Sequence, residues 1–233
     1  MEYIIILISL ITISIILKNI FGVNIKKIKE LSKPNKLDKL TQKLPEDEEV
    51  CKQILKLVNN EEVKIQKSVD EKNQTSLYVV ASNSIIIGNL QKSHARIQTI
   101  AHECLHSIQS KKMLMFNFIY SNIYILYFIV ISVLTLFNII QNKTLQLFIL
   151  TILGFIFFAV RSYLETSAMT KAKYLAKTYL VQTNLYSKEE IEQLTNSYEE
   201  INNVGIPFTN YSLVMNVIVK LVIYTAICLI KLI

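Results

Sequence analysis

Apolar residues are concentrated in four long stretches of the chain, separated by polar segments. These stretches are residues 3–17, 113–140, 145–160 and 211–230. About 20 helical residues cross the roughly 30 Å hydrocarbon core of a bilayer, so the pattern predicts four transmembrane helices. For the third and shortest stretch, a buried core helix is the alternative. If it does span, Lys143 and Arg161 at its ends can extend to the interface.

The first apolar stretch is interpreted as an uncleaved membrane anchor. A secretory signal peptide has a basic leading region and a small-residue cleavage site. Here the leading residues are Met1 and Glu2, and no Ala-x-Ala motif follows Lys18. We therefore expect an N-terminal anchor.

Basic residues lie mainly on one side of the predicted spans, at Lys18, Lys26, Lys27, Lys29, Lys33, Lys36, Lys111, Lys112, Arg161, Lys171, Lys173 and Lys177. Cytoplasmic segments carry the excess of Lys and Arg. The pattern thus predicts a multi-pass cell-membrane protein whose two polar regions are cytoplasmic, with the lipid bilayer as one partner. Nucleic-acid binding is the alternative explanation of the +7 charge, but Arg-rich clusters and interleaved aromatic residues are missing, so no nucleic-acid partner is expected.

The first polar region predicts helices and a small β-hairpin. Pro45 followed by acidic residues is typical of a helix start, and that helix should reach about Val58. A weak alternation over 62–69 indicates a strand, and the β-branched segments 75–80 and 84–87 indicate a hairpin. Ser93 is the expected cap of a helix over about 94–112.

The second polar region predicts two further helices. One covers 161–182, and the other begins with a capping box formed by Ser187 and Glu190. We expect residues 205–207, Gly-Ile-Pro, to end that helix before the last span. The three Cys residues (Cys51, Cys104 and Cys228) exclude a disulfide-stapled secreted scaffold.

The sequence His102-Glu103-Cys104-Leu105-His106 contains the most informative pattern in the chain. Four-residue spacing places both imidazoles on one helix face, where they can bind one Zn²⁺ ion. Glu103 is adjacent to that face and is the candidate general base that takes a proton from an activated water. The alternative is a His pair on the surface of an ordinary amphipathic helix.

Glu165 is the candidate third metal ligand. The short polar bend 141–144 should fold the third span back beside the His helix, and Glu165 is the only carboxylate between Glu103 and Glu189. The alternative is an exposed carboxylate paired with Arg161. Cys104 should point away from the His face, and His94 should be a solvated residue at the helix start.

These motifs resemble those of the bacterial membrane-bound neutral zinc metallopeptidases of the YugP-like group, which have a zincin-type core. The resemblance includes the N-terminal anchor, the hairpin around 78–88, the His helix, the segment 164–168 and the final span. It implies one Zn²⁺ per chain, with His102, His106 and Glu165 as ligands and Glu103 as the catalytic base. Leu105 stands where the family usually has Gly, and Cys104 and Ser107 also depart from its pattern, as does the segment after Asn196.

The expected fold is mainly α with a small β-hairpin, as a zincin-like catalytic domain fused to about four transmembrane helices. The expected segments are 1–20 (anchor), 21–112 (cytoplasmic zincin-like domain), 113–160 (transmembrane hairpin), 161–210 (cytoplasmic helices supplying the third ligand) and 211–233 (last span). The expected activity is hydrolysis of peptide or protein substrates at the cytoplasmic membrane face. Residues 84–87 are a candidate edge for substrate pairing, and a buried hairpin is the alternative for them. The alternatives are cleavage within the bilayer and a non-enzymatic protein with a structural or vestigial zinc site.

Overall fold

The computed structural model describes residues 1–31, 33, 36–70, 75–90 and 93–230. Its elements are α1 (Glu2–Ile20), α2 (Ile25–Leu31), α3 (Asp38–Thr41), α4 (Asp47–Leu57), β1 (Lys64–Lys67), β2 (Leu77–Val79), β3 (Ser84–Ile87), α5 (Arg96–Ile108), α6 (Lys111–Leu136), α7 (Lys143–Thr183) and α8 (Lys188–Leu229). The fold is mainly helical, as predicted. The chain forms two compact units. The first, here called the span unit, comprises Met1–Asn24, Phe116–Tyr163 and Pro207–Ile233; the second, the polar unit, comprises Ile25–Met115 and Leu164–Ile206.

The span unit contains the four predicted apolar segments. Helices α1, α6, α7 and α8 are each long and apolar enough to cross a membrane, which confirms that part of the prediction. The expected antiparallel hairpin is present, because the Tyr120 hydroxyl donates to the Leu153 carbonyl over 2.9 Å and Tyr127 bonds to Gln146 over 2.6 Å. The unit has a core of its own around Tyr124, Leu150, Val217 and Tyr224.

Gly154 on α7 allows close packing inside the span unit. A Cβ atom placed there would collide with Val217 on α8 and lie 2.9 Å from the Tyr124 hydroxyl on α6. Both distances are shorter than real Cβ atoms tolerate, so only glycine fits without displacing a neighbour. One position therefore sets how closely α7 approaches two other helices.

The polar unit contains one three-stranded sheet in the order β1-β3-β2. The predicted hairpin is present, with β2 antiparallel to β3, and the predicted strand within 62–69 is β1, which pairs parallel to β3. β3 is therefore the central strand, with neighbours on both sides. The expectation that residues 84–87 offer a free edge to a peptide is wrong, because β1 occupies that side.

The start of α5 differs from the prediction. Ser93 does not cap the helix; Ala95 is the N-cap residue and the helix begins at Arg96. His94 is also not solvated, since it is 3% exposed and both its backbone N–H and its Nδ1 lie 2.8 Å from Asp38 Oδ1. A partner more than fifty residues away in sequence thus buries a side chain that local pattern assigns to the surface.

A buried ion pair fixes α4 against α5. Arg96 is 2% exposed, and its Nε lies 2.8 Å from Asp47 Oδ1. The Arg96 guanidinium also donates to the carbonyls of Thr41 and Pro45, while Asp47 Oδ2 accepts from the Leu90 N–H. Both charges therefore have further polar partners, which a buried pair requires.

Helix α8 begins as predicted and continues further than predicted. Ser187 and Glu190 form the capping box, with Glu190 N–H donating to Ser187 Oγ over 3.1 Å and Ser187 N–H donating to Glu190 Oε2 over 2.9 Å. Pro207 does not end the helix, which runs unbroken to Leu229. Proline removes one backbone donor, and a long helix supported on both sides tolerates that loss at the edge of an apolar segment.

Candidate metal centre

Helix α5 presents two imidazoles on one face. His102 and His106 are four residues apart, and their Nε2 atoms lie 3.0 Å from each other. The opposite face is buried and apolar, and includes Ile97, Ile100 and Ala101. The helix orientation is therefore set by its hydrophobic face, which leaves both ring nitrogens converging on one point.

Glu165 on α7 completes the cluster. Its Oε2 atom lies 3.3 Å from His102 Nε2 and 3.6 Å from His106 Nε2. Nitrogen and oxygen ligands about 2.0–2.1 Å from a tetrahedral zinc ion are separated from each other by roughly 3.3–3.4 Å. The three observed separations lie around this value, and two imidazoles with one carboxylate are a ligand set that zinc accepts. The three residues could therefore hold a metal ion.

The cluster is largely shielded from solvent. The side chains of His102, His106 and Glu165 are 17%, 11% and 13% exposed. A His pair on the surface of an amphipathic helix and an exposed carboxylate, the two alternatives left open by the sequence, are both inconsistent with this burial.

Glu103 lies beside the cluster and is anchored by the sheet. Its Oε2 accepts a 2.7 Å hydrogen bond from the Tyr78 backbone N–H on β2, and its Oε1 lies 3.9 Å from His102 Nε2. One oxygen is thus held by the protein while the other is directed toward the His face. Burial raises the pKa of Glu103, although both His residues and the Tyr78 hydrogen bond oppose the increase.

The His106 ring is held on its other nitrogen by Gln109, a residue that the sequence analysis missed. His106 Nδ1 lies 2.8 Å from Gln109 Oε1, and Gln109 Nε2 donates to the Leu164 carbonyl over 2.9 Å. Because an amide oxygen only accepts, Nδ1 must carry the proton, which leaves Nε2 free to bind a metal in the neutral imidazole. Gln109 thereby links His106 to the residue that precedes Glu165. Its spacing of three from the second His was the available signal.

The charge of the cluster is balanced by its carboxylate. Burial alone would lower the pKa of His106, but the hydrogen bond with Glu165 and its negative charge outweigh burial and raise that pKa. The carboxylate therefore favours positive charge at the position where the three ligand atoms meet, as a cation site requires.

Cys104 faces away from the imidazoles, as the helix spacing predicted. Its Sγ lies 3.8 Å from the Sγ of Cys51 on α4, and both residues are fully buried free thiols. Burial raises the pKa of Cys104 well above its usual value, and its contact with Cys51 directs the thiol away from the three ligand atoms.

Comparison of the chain with protein-family models, with curated proteins and with solved structures gives no match.

Proposed function

We propose that this chain is an integral-membrane zinc peptidase that hydrolyses peptide bonds with a water molecule activated at His102, His106 and Glu165. The observation that supports this proposal is the position of Glu103, beside three ligand atoms with the separations of a zinc site. A structural site has no need of an adjacent carboxylate held in place by a backbone amide.

In the proposed mechanism, each residue has a separate role. His102, His106 and Glu165 hold the ion, and Gln109 fixes the ring orientation of His106. When bound, zinc would supply Lewis acidity, which lowers the pKa of a water molecule and polarises a carbonyl group. Glu103 accepts a proton from the water at Oε1 and later donates it to the leaving amine.

The geometry of Glu103 suits this double role. Burial raises its pKa, which makes the carboxylate a stronger proton acceptor than an exposed one. The hydrogen bond from Tyr78 holds the side chain in one position through both steps. Because β2 supplies that amide, the sheet positions the base while α5 and α7 position the ligands.

The proposed location is the cell membrane, with the catalytic unit on the cytoplasmic side. Four apolar helices support a multi-pass arrangement, and the excess of Lys and Arg in the polar segments supports the cytoplasmic orientation. The substrates are then peptide segments that reach the cytoplasmic face of the bilayer.

The test is the Glu103→Gln variant of the full-length protein, purified in detergent and loaded with Zn²⁺. Glutamine can still accept from Tyr78 but cannot take a proton. Hydrolysis of an unfolded protein such as reduced casein should decrease at least about 100-fold, while zinc content stays near one ion per chain. Glu199→Gln, at an exposed glutamate of the same unit, is the matched control and should leave the rate unchanged.

Two results would contradict the proposal. An unchanged rate in Glu103→Gln would remove Glu103 as the base. Zinc bound stoichiometrically to a wild-type protein that hydrolyses no member of a diverse peptide library would favour a structural metal site instead.

A further inference from the structure

Lys220 is a cation within the last apolar segment. It is the tenth residue of the apolar stretch 211–230. Two contacts of α8 with α7 show where Lys220 lies along the apolar segment. Asn210 bonds to Ser162 near one end of the apolar segment of α7 (2.6 Å), and the Tyr224 hydroxyl reaches the carbonyl of Lys143 at the other end (3.4 Å). Lys220 therefore lies between the two ends of the bundle, about 15 Å along α8 from Asn210 and about 6 Å from Tyr224.

The ammonium group does not extend toward the nearer end. Its Nζ atom donates to the side chain and the backbone carbonyl of Asn216, one turn earlier in the helix, and lies 5.2 Å from the ring centre of Tyr124. Tyr124 is 1% exposed, and among the described residues its hydroxyl has no hydrogen-bond partner. The cation is thus held deep in the segment by an amide and an aromatic ring.

The span unit offers Lys220 no neighbouring carboxylate. Across residues 1–24, 116–163 and 207–230 the sequence contains one acidic residue, Glu2, at the very start of α1. A charged side chain near the centre of a bilayer is costly unless it is paired. Asn216 and Tyr124 compensate part of that cost, and neither neutralises the charge.

Lys220 lies next to an exposed face of α8. The residues on this face are spaced like those that pack against a second helix. Six of the seven exposed positions in 211–230 are spaced alternately by four and three residues, namely Ser212, Asn216, Val219, Ile223, Ala226 and Ile230; the seventh, Leu229, is adjacent to the last of them. This is the heptad spacing with which a second helix interdigitates. Two of the positions are small residues, which favour close approach of helices in membranes.

We propose that this face of α8 binds one membrane span of another protein, and that the span carries an Asp or Glu at the depth of Lys220. Charge complementarity identifies the partner. Lipid phosphates lie at the bilayer surface, beyond the ends of the apolar segment, whereas the ammonium group is directed along α8 away from its nearer end. A second copy of this chain would bring another lysine and no carboxylate at that depth. The proposal is independent of the zinc site.

The experiment uses the full-length protein in phosphatidylcholine vesicles together with a labelled synthetic peptide. The peptide is a Leu/Ala transmembrane helix with one central Glu, and two matched peptides have Gln or Leu at that position. Association is measured by energy transfer to a fluorophore on the protein. The Glu peptide should bind about 3- to 30-fold more tightly than the Leu peptide, which is the range measured for polar contacts between membrane helices.

Variants assign the effect to Lys220. Lys220→Leu should abolish the preference for Glu, Lys220→Arg should retain it, and Lys18→Leu, at an exposed lysine at the end of α1, should leave it unchanged. Moving the Glu by one helical turn in the peptide should weaken binding. Equal binding of the Glu and Leu peptides by the wild type, or an unchanged preference in Lys220→Leu, would overturn the proposal. Neither readout uses peptide hydrolysis or zinc, so failure here is distinguishable from failure of the proposed activity.

Discussion

The two units of the molecule treat buried charge in opposite ways. In the polar unit, Arg96 is matched by Asp47, and Glu165 is shared by two imidazoles. These charged groups of the polar unit therefore find their partners within the unit. In the span unit, the partly buried cation Lys220 has an amide and an aromatic ring as its partners. The cation of the span unit is only partly compensated, and it is the one for which we propose a carboxylate from another molecule.

The largest expected effect breaks the pairing in the polar unit. Arg96→Met should lower the free energy of unfolding by about 3–5 kcal/mol, because Asp47 would remain buried without its cation. Unfolding by urea in detergent micelles, followed by circular dichroism, measures the loss. Lys173→Met is the matched control, since its partner Glu199 is 56% exposed, and its effect should be far smaller. Equal losses would show that burial of the Arg96 pair is unimportant.

The next effect concerns the metal cluster. Glu165→Ala removes one of three ligands and should weaken Zn²⁺ binding by more than about 100-fold, since removal of partners that merely orient ligands already costs 10–100-fold. Competition with a chromogenic chelator gives the affinity. Glu199→Ala should bind zinc as the wild type does. Unchanged affinity in Glu165→Ala would remove this residue from the site.

The substitutions Gly154→Ala and Gly205→Ala test whether packing around a glycine is equally tight in the two units. Gly154→Ala should destabilise the span unit by about 1–3 kcal/mol, because the new methyl group collides with Val217 and the Tyr124 hydroxyl. Gly205→Ala in the polar unit meets only the flexible end of Met169, at 3.0 Å, and should be neutral or slightly stabilising through helix propensity. Thermal unfolding in one detergent measures both. Equal destabilisation would show that packing at Gly154 is not special.

The smallest effect concerns an exposed ion pair. Lys43 lies 2.8 Å from Glu190 and, with the Ser187 amide, lowers the pKa of that carboxyl below 4.5. A lowered carboxyl pKa stabilises the fold above the unfolded value and loses this contribution as pH falls through the folded value. The difference in unfolding midpoint between wild type and Lys43→Met should therefore be present at pH 6 and shrink below pH 4.5. A difference that grows in acid would contradict this assignment.

Features encoded by local spacing could be predicted from the sequence. The His pair of α5, the capping box of Ser187 and the four apolar helices each depend on residues within a turn or on one continuous run. Features created by distant contacts could not be predicted. The burial of His94 depends on Asp38, and the central position of β3 depends on the parallel pairing of β1.

Pro207 and Gln109 illustrate two further limits of local pattern. Proline usually ends a helix, because it lacks the backbone donor and its ring clashes with the carbonyl four residues earlier, yet α8 continues through Pro207 to Leu229. The contact of Gln109 with His106 is local and follows from a spacing of three residues, but its bond to the Leu164 carbonyl exists only where α5 and α7 meet. Both outcomes depend on tertiary context that neighbouring residues do not encode.

The hydrogen bond from the Tyr78 amide to Glu103 has a consequence for how this site would tolerate change over time. The donor belongs to the main chain, so nineteen of the twenty amino acids possess it and proline alone does not. Drift at position 78 can therefore exchange the side chain repeatedly without releasing the carboxylate. The hydrogen bond that helps to place the Glu103 carboxylate therefore does not require a particular residue type at position 78.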